Sequence, residues 1–160
     1  MKKAILCASL LWVAVSSFGQ SSIQDDLKAR FMGRSGQASE DARSDDKQLG
    51  IKVGCHGNTF LSNVTITSVN VSTSGNVANV TAGYDGNYTR QGWVIPCVQS
   101  GHEDHHVYGT ISVSIKQIAF KAPEITWNGV HDVGEIGDPT HDSNRFAAAA
   151  AKSALEGAMQ

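Results

Sequence analysis

The sequence lacks the short motifs that commit a chain to one chemistry. It has no Gly-x-Ser-x-Gly, no phosphate-cradling glycine loop and no Cys-x-x-Cys, which removes the usual signatures of a serine hydrolase, a nucleotide-binding loop and a dithiol redox site. Basic charge is also short. Lys and Arg number 13 against 15 Asp and Glu, for a net charge of −2, so no surplus is available to neutralise phosphates and nucleic acid is not an expected partner. Long apolar runs are absent beyond the first 20 residues, so no membrane span is expected in the rest of the chain. Cysteine is limited to Cys7, Cys55 and Cys97.

The N-terminus reads as a targeting segment. Lys2 and Lys3 precede an apolar run over residues 4–15, followed by Ser17, Phe18 and Gly19, with small residues at the two positions a signal peptidase reads. That run is too short to cross a bilayer. The expected cut follows Gly19, which defines residues 1–19 as a bacterial-type signal and Gln20 as the mature start. Cys7 sits inside the apolar run, too early to take a lipid. Removing 19 of 160 residues leaves 141 with 11 basic and 15 acidic side chains, net −4, enough for one domain with a sizeable core. A periplasmic or secreted location follows. In that oxidising compartment the two remaining cysteines, Cys55 and Cys97, are expected to form a disulfide bond, stabilising by about 3 to 4 kcal/mol on the chain-entropy estimate.

What the chain does contain is alternation. Over residues 60–89, Val64 and Ile66, then Val69 and Val71, face Val77, Val80, Ala82 and Tyr84 across Ser74-Gly75-Asn76, a hairpin whose Gly-Asn pair supplies positive φ. Val107, Ile111, Val113 and Ile115 repeat the two-residue period further on. The buried parity slips between Ile66 and Val69, and again between Ile115 and Ile118. Two bulges or bends are therefore expected, and if they align the sheet curls. Strands are also expected over residues 49–55, 93–98 (broken at Pro96) and 124–127. Asp85-Gly86-Asn87 reads as a turn or bulge, and residues 99–106 as a loop.

Helices flank this sheet. Residues 20–33 read as an amphipathic helix capped by Ser22, with Ile23, Leu27 and Phe31 on one face and Gly33 ending it. Residues 34–48 are polar, with almost no apolar area to offset the entropy of ordering, and read as a flexible linker. Residues 49–160 form the β-rich domain, closed by an Ala-rich helix that starts at Asp142 or Ser143 and is anchored by Phe146, Leu155 and Met159. The expected class is α+β, mostly β: a curved antiparallel sheet flanked by an N-terminal helix and the Ala-rich C-terminal helix, with a two-sheet β-sandwich as the alternative.

Four triplets fit the N-glycosylation pattern, at Asn63, Asn70, Asn79 and Asn87. They lie on Asn/Thr/Ser/Val strands where the pattern arises readily, and no glycans are expected behind a bacterial-type signal.

Two constellations carry possible chemistry. Gly101-His102-Glu103-Asp104-His105-His106 matches His-Glu-x-x-His, but the motif needs a helix to set two imidazoles on one face, and a strand begins at Val107. A metalloprotease is thus not expected. His102, His105 and His106, with His56 beside Cys55, remain a local supply of zinc ligands. The second cluster, Asp132, Glu135, Asp138, His141 and Asp142 with His131, does not follow calcium-loop spacing. Tyr84, Tyr88, Trp93 and Trp127 would line any pocket for a small ligand. The first expectation for function is an exported, non-catalytic binding protein of the inhibitor, immunity or assembly-factor type, whose partner is another protein or a small ligand. A metal-binding or metal-dependent protein centred on the His102 to His106 stretch, and a small-ligand carrier, are the alternatives. No cofactor is expected beyond zinc at that stretch.

Overall fold

The computed structural model describes residues 18–135 and 142–160; most of the expected signal segment, Asp138 and His141 lie outside them. Helix α1, Phe18–Phe31, leads into strands β1, Ser35–Gln48; β2, Ile51–Ser74; β3, Val77–Val94; β4, Val98–Lys116; and β5, Glu124–Glu135; helix α2, Asp142–Met159, follows. The strands form one antiparallel meander in the order β1-β2-β3-β4-β5, curled into a half-barrel. The fold class is therefore mostly β with a helix at each end of the chain, built on one sheet, and the sandwich alternative falls.

Alternation fixes the two faces. Val64, Ile66, Val80, Ala82, Tyr84, Tyr88, Val107, Ile111 and Val113 are all buried and line the concave side, while Asn63, Thr65, Asn79, Thr81, Asp85 and Asn87 are exposed on the convex side. The β2–β3 hairpin turns at Gly75-Asn76, with Ser74 opposite Val77. Only Gly75 takes positive φ there, at 58°, so glycine alone supplies the required conformation.

The curl has an identifiable origin. The register of β2 on β3 slips between Ile66 and Ser68, where the apolar parity changes. On β4 the register against β5 slips between Val107 and Gly109, and Tyr84 links the two sites because it faces Ile66 on one side and Gly109 on the other. The bulges thus lie on one line across the sheet, and bulges so placed bend it. Gly109 is required on this line, since a Cβ there would stand 2.5 Å from the Tyr84 hydroxyl oxygen. The second expected bend, after Ile115, is instead the end of β4, and Phe120 lies beyond it in the connection to β5.

The concave face closes over α2, which lies chiefly against β1 and β2 and also reaches β4. Its small side chains allow the close approach: a Cβ at Gly36 would meet the Ala154 Cβ at 2.9 Å and helix backbone closer still. Phe146, Ala147, Ala150, Ala151, Ala154 and Leu155 join the sheet residues in one core with Phe31 of α1. Helix α1 begins at Phe18, so Ser22 lies within it and does not cap it. It ends at Gly33, φ 73°, whose N–H donates to Ile66 O at 2.9 Å.

Three expectations are corrected by these spans. Residues 34–48 are no linker: from Ser35 onward they form β1, paired with β2 from Ser35 opposite Thr65 to Gln48 opposite Ile51. Backbone ladder bonds and the cover given by α2 order a segment whose own side chains offer little apolar area. Residues 99–106 belong to β4 and are no loop, and Asp85-Gly86-Asn87 runs through β3 without a break in register.

Candidate functional site

Among the described residues the concave side is packed with side chains. Phe60 and Phe146 stack at 5.3 Å between ring centroids, Tyr88 and Phe146 at 6.1 Å, and His105 lies 6.0 Å from Tyr88. Tyr84 and Tyr88, 3% and 0% exposed, are core residues of this face. Of the other two aromatics, Trp127 packs at the edge of this same core and Trp93 stands apart from it. The Trp93 indole donates to Thr59 Oγ1 at 3.2 Å beneath the Arg43 guanidinium, while Trp127 carries the Lys152 ammonium 5.3 Å over its ring. Three of the four expected pocket residues thus meet in or against one packed core, and Trp93 lies outside it. A polar groove of about 610 Å³ opens on the convex side instead, among Ser35, Gln37, Asn63, Thr65, Asp85 and Asn87.

Strand alternation parts the histidines as well. His105 shares the concave parity of Val107, and His102 and His106 share the convex one. Each sits beside a carboxylate: His102 Nε2 is 2.7 Å from Asp104 Oδ2, His106 Nε2 is 2.8 Å from Asp85 Oδ2, and His105 Nε2 is 3.8 Å from Glu103 Oε2. His56, on β2, has Nδ1 2.8 Å from Asp46 Oδ1. Among the described residues no three His, Cys, Asp or Glu side chains are placed to hold a metal ion. In the acidic cluster, the backbone sets Asp132 opposite Gly109, His131 opposite Thr110 and Glu135 opposite Val107.

The carboxylates of this end have clear electrostatics. The Thr89 hydroxyl, donating at 2.7 Å, and then His102 hold the Asp104 carboxyl below its ordinary value. Asp41 is lowered by its hydrogen bond from Arg43, and Asp45 by its bond from Lys52.

The feature that stands apart from ordinary surface is the far end of the sheet. The described part of α2 begins level with Glu40 and Phe60, where Arg145 Nη2 meets Glu40 Oε2 at 3.3 Å, and the strands run on past it. There Cys55 and Cys97 form the expected disulfide, with Cα atoms 4.7 Å apart. It ties β2 to the β3–β4 turn at the cis Ile95–Pro96 bond. Six large aliphatic residues are exposed on this end: Leu49 98%, Ile51 70%, Ile95 57%, Val98 54%, Val94 47% and Val53 41%. The β3–β4 turn packs against β2 at Gly54, where a Cβ would lie 3.0 Å from Pro96 Cα and 3.1 Å from Ile95 Cγ2, and the Leu49-Gly50 turn stands further out, beyond the Gln48–Ile51 pair. Together they make up the apex of the sheet.

Leu49 is the sharpest residue in it. With Gln48 opposite Ile51, Leu49 and Gly50 are the two central residues of a hairpin turn, at φ 52° and 82°. Asparagine, aspartate or glycine suits the first of these positions; a leucine there costs roughly 1–2 kcal/mol. Burial on this chain returns none of that cost, since the side chain is 98% exposed. Sequence reasoning passed over the apex because its aliphatics read as strand interior, and only the Leu-Gly dipeptide between polar residues 45–48 and the alternating Ile51 and Val53 hinted at a turn. Among the described residues no helix is long and apolar enough to cross a membrane. No family model, curated protein or solved structure matches the chain.

Proposed function

We propose that this chain is an exported, non-catalytic binding protein that works through the disulfide-clamped apolar end of its sheet. The observation carrying this reading is the set of Leu49, Ile51, Val53, Val94, Ile95 and Val98 at one end of the sheet, each at least 41% exposed, where Cys55–Cys97 and the Gly54 contact hold the β3–β4 turn on β2. Isolated exposed aliphatics are ordinary on protein surfaces, but a group gathered at one end marks a contact surface. The disulfide is consistent with an oxidising compartment and so with a periplasmic or secreted site of action. It also fixes the geometry of the apex before any partner arrives, which lowers the entropic cost of binding.

The test is site-specific photo-crosslinking in intact cells, with the reactive side chain placed at position 49, 95 or 120. Phe120 is as exposed as Leu49 but lies at the opposite end of the sheet, so it controls for exposure alone. Adducts at positions 49 and 95 in excess of position 120 are expected. Equal yields at all three positions, or none, would reject the apex as a contact surface.

A further inference from the structure

We infer that the polar groove on the convex side is a saccharide site, taking one or two rings of an uncharged sugar that enters from the β1 edge. It lies away from the apex and stands or falls apart from it. The register shows how the groove is built. Ser35, Thr65 and Asp85 stand opposite one another in a row across β1, β2 and β3, and Gln37, Asn63 and Asn87 form a parallel row two residues along the strands. Between them runs the row Gly36, Val64 and Gly86. The Val64 side chain is buried on the concave side, so the floor between the two polar walls is backbone. These rows, with Thr67, line the 610 Å³ groove. On ordinary strand dimensions the walls stand about 6.6 Å apart and the span from β1 to β3 is about 9.6 Å. That is a slot for a small flat ligand and too narrow for a folded partner.

One end of the slot is closed. On β4 the two rows continue to Tyr108 and His106. His106 Nε2 lies 2.8 Å from Asp85 Oδ2, a contact that crosses from one wall to the other, and the His106 and Tyr108 rings stand 5.7 Å apart. At the other end β1 is the edge of the sheet among the described residues. The ligand therefore enters beside Ser35 and Gln37.

The walls hold polar groups that the sheet does not use. Elsewhere on the convex side cross-strand neighbours satisfy one another: Thr81 and Ser112 are 3.1 Å apart, Ser114 donates to Asn79 Oδ1 at 2.7 Å, and Asn128 donates to Ser114. In the groove Ser35 and Thr65 do so, at 3.0 Å. Gln37, Asn63 and Asn87 are exposed, and among the described residues their side-chain amides bond no protein group.

The chemistry of the lining selects the ligand. Each amide offers two N–H donors and a carbonyl acceptor, and a hydroxyl both donates and accepts, so a polyol satisfies these walls. Asp85 is the one ionisable side chain of the lining. It accepts from sugar hydroxyls and repels an anion. Peptides held on sheets use side-chain pockets or an added edge strand, and this groove presents no apolar side chain. Affinity in the millimolar range is expected, because an open, wet groove gains little apolar burial.

The experiment is nitrogen-15 correlation NMR of the intact protein, in which asparagine and glutamine side-chain amides report directly. The probes are glucose, N-acetylglucosamine, cellobiose, N,N′-diacetylchitobiose and triglycine, each to tens of millimolar. At least one sugar is expected to shift the side-chain amides of Gln37, Asn63 and Asn87 and to leave Asn70 and Asn79, exposed on the same side outside the groove, in place. Asn63→Val and Asn87→Val suit a strand and should each weaken that binding by about tenfold, the value of one lost hydrogen bond; Asn70→Val should not. The assignment is overturned if no sugar moves the groove amides, if Asn70 and Asn79 move equally, or if both groove variants bind as wild type does. Triglycine moving these amides where no sugar does would give the groove to a peptide and reject the saccharide. Each outcome leaves the crosslinking result at the apex untouched, so the two sites are judged separately.

Discussion

Asp104 illustrates how much of this surface depends on cross-strand pairing. Its carboxylate accepts from Thr89 across the β3–β4 ladder and lies beside His102 on its own strand, and both favour the ionised form. A carboxyl whose folded pKa lies below its unfolded one adds stability above the unfolded value, near 3.9 for aspartate, and loses it as pH falls through the folded value. Asp41, Asp45 and Asp104 are all lowered, so their shared contribution is present at neutral pH and fades in acid. Thr89→Val removes the largest cause acting on Asp104. The carboxyl should then titrate at higher pH, followed by its carbon-13 resonance, and the stability gap between variant and wild type should close as pH falls below about 4. An unmoved resonance would place the cause elsewhere. None of this was legible in the sequence, where Thr89 and Asp104 stand 15 positions apart and only the register makes them neighbours.

Strand β1 and helix α2 form the least expected partnership. The Ala-rich stretch announced a helix able to approach closely, and it does; the strand that receives it was hidden, because hydrophobic alternation is silent in a segment as polar as residues 35–48. The same blindness affected residues 99–106, whose histidines and acids obscured a strand that pairs with β3 along its length. By contrast the β2–β3 hairpin and its slip near Ile66 were legible, since valine and isoleucine recorded the parity directly. The β1–α2 contact turns on Gly36. An alanine Cβ there would sit 2.6 Å from Ala154 N and 2.9 Å from Ala154 Cβ, and helix backbone cannot swing aside as a flexible side chain can. Gly36→Ala should therefore lower stability by about 1–3 kcal/mol in denaturant titration, the usual range for overpacking. Gly101→Ala, with nothing within 4 Å of its added carbon, serves as the control and should change little. Equal effects of the two substitutions would show that the helix does not bear on β1 at this glycine.

Taken as one body, the molecule has a core half and an overhanging half, and different forces hold them. Around α2 the half-barrel buries Phe31, Ile66, Tyr88, Ile111 and Leu155 almost completely. Beyond Phe60 the strands carry the exposed aliphatics, and there the disulfide substitutes for a core. The chain-entropy estimate for a bridge across 42 residues is about 4 kcal/mol. That stabilisation should be spent unevenly, because the core half retains its packing without the bridge whereas the apex has little else to hold the β3–β4 turn against β2. Cys97→Ser should lower the unfolding midpoint and leave Cys55 open to alkylation. Amide hydrogen exchange should then accelerate most over residues 49–57 and 93–99, and far less at Ile66, Ile111 and within α2. If exchange instead rose uniformly over the whole sheet, the two halves would be one cooperative unit and the apex would owe its order to the core. If thiol labelling of the untreated native protein modified both cysteines, the bridge would not exist, and the fixed geometry on which apex binding depends would go with it.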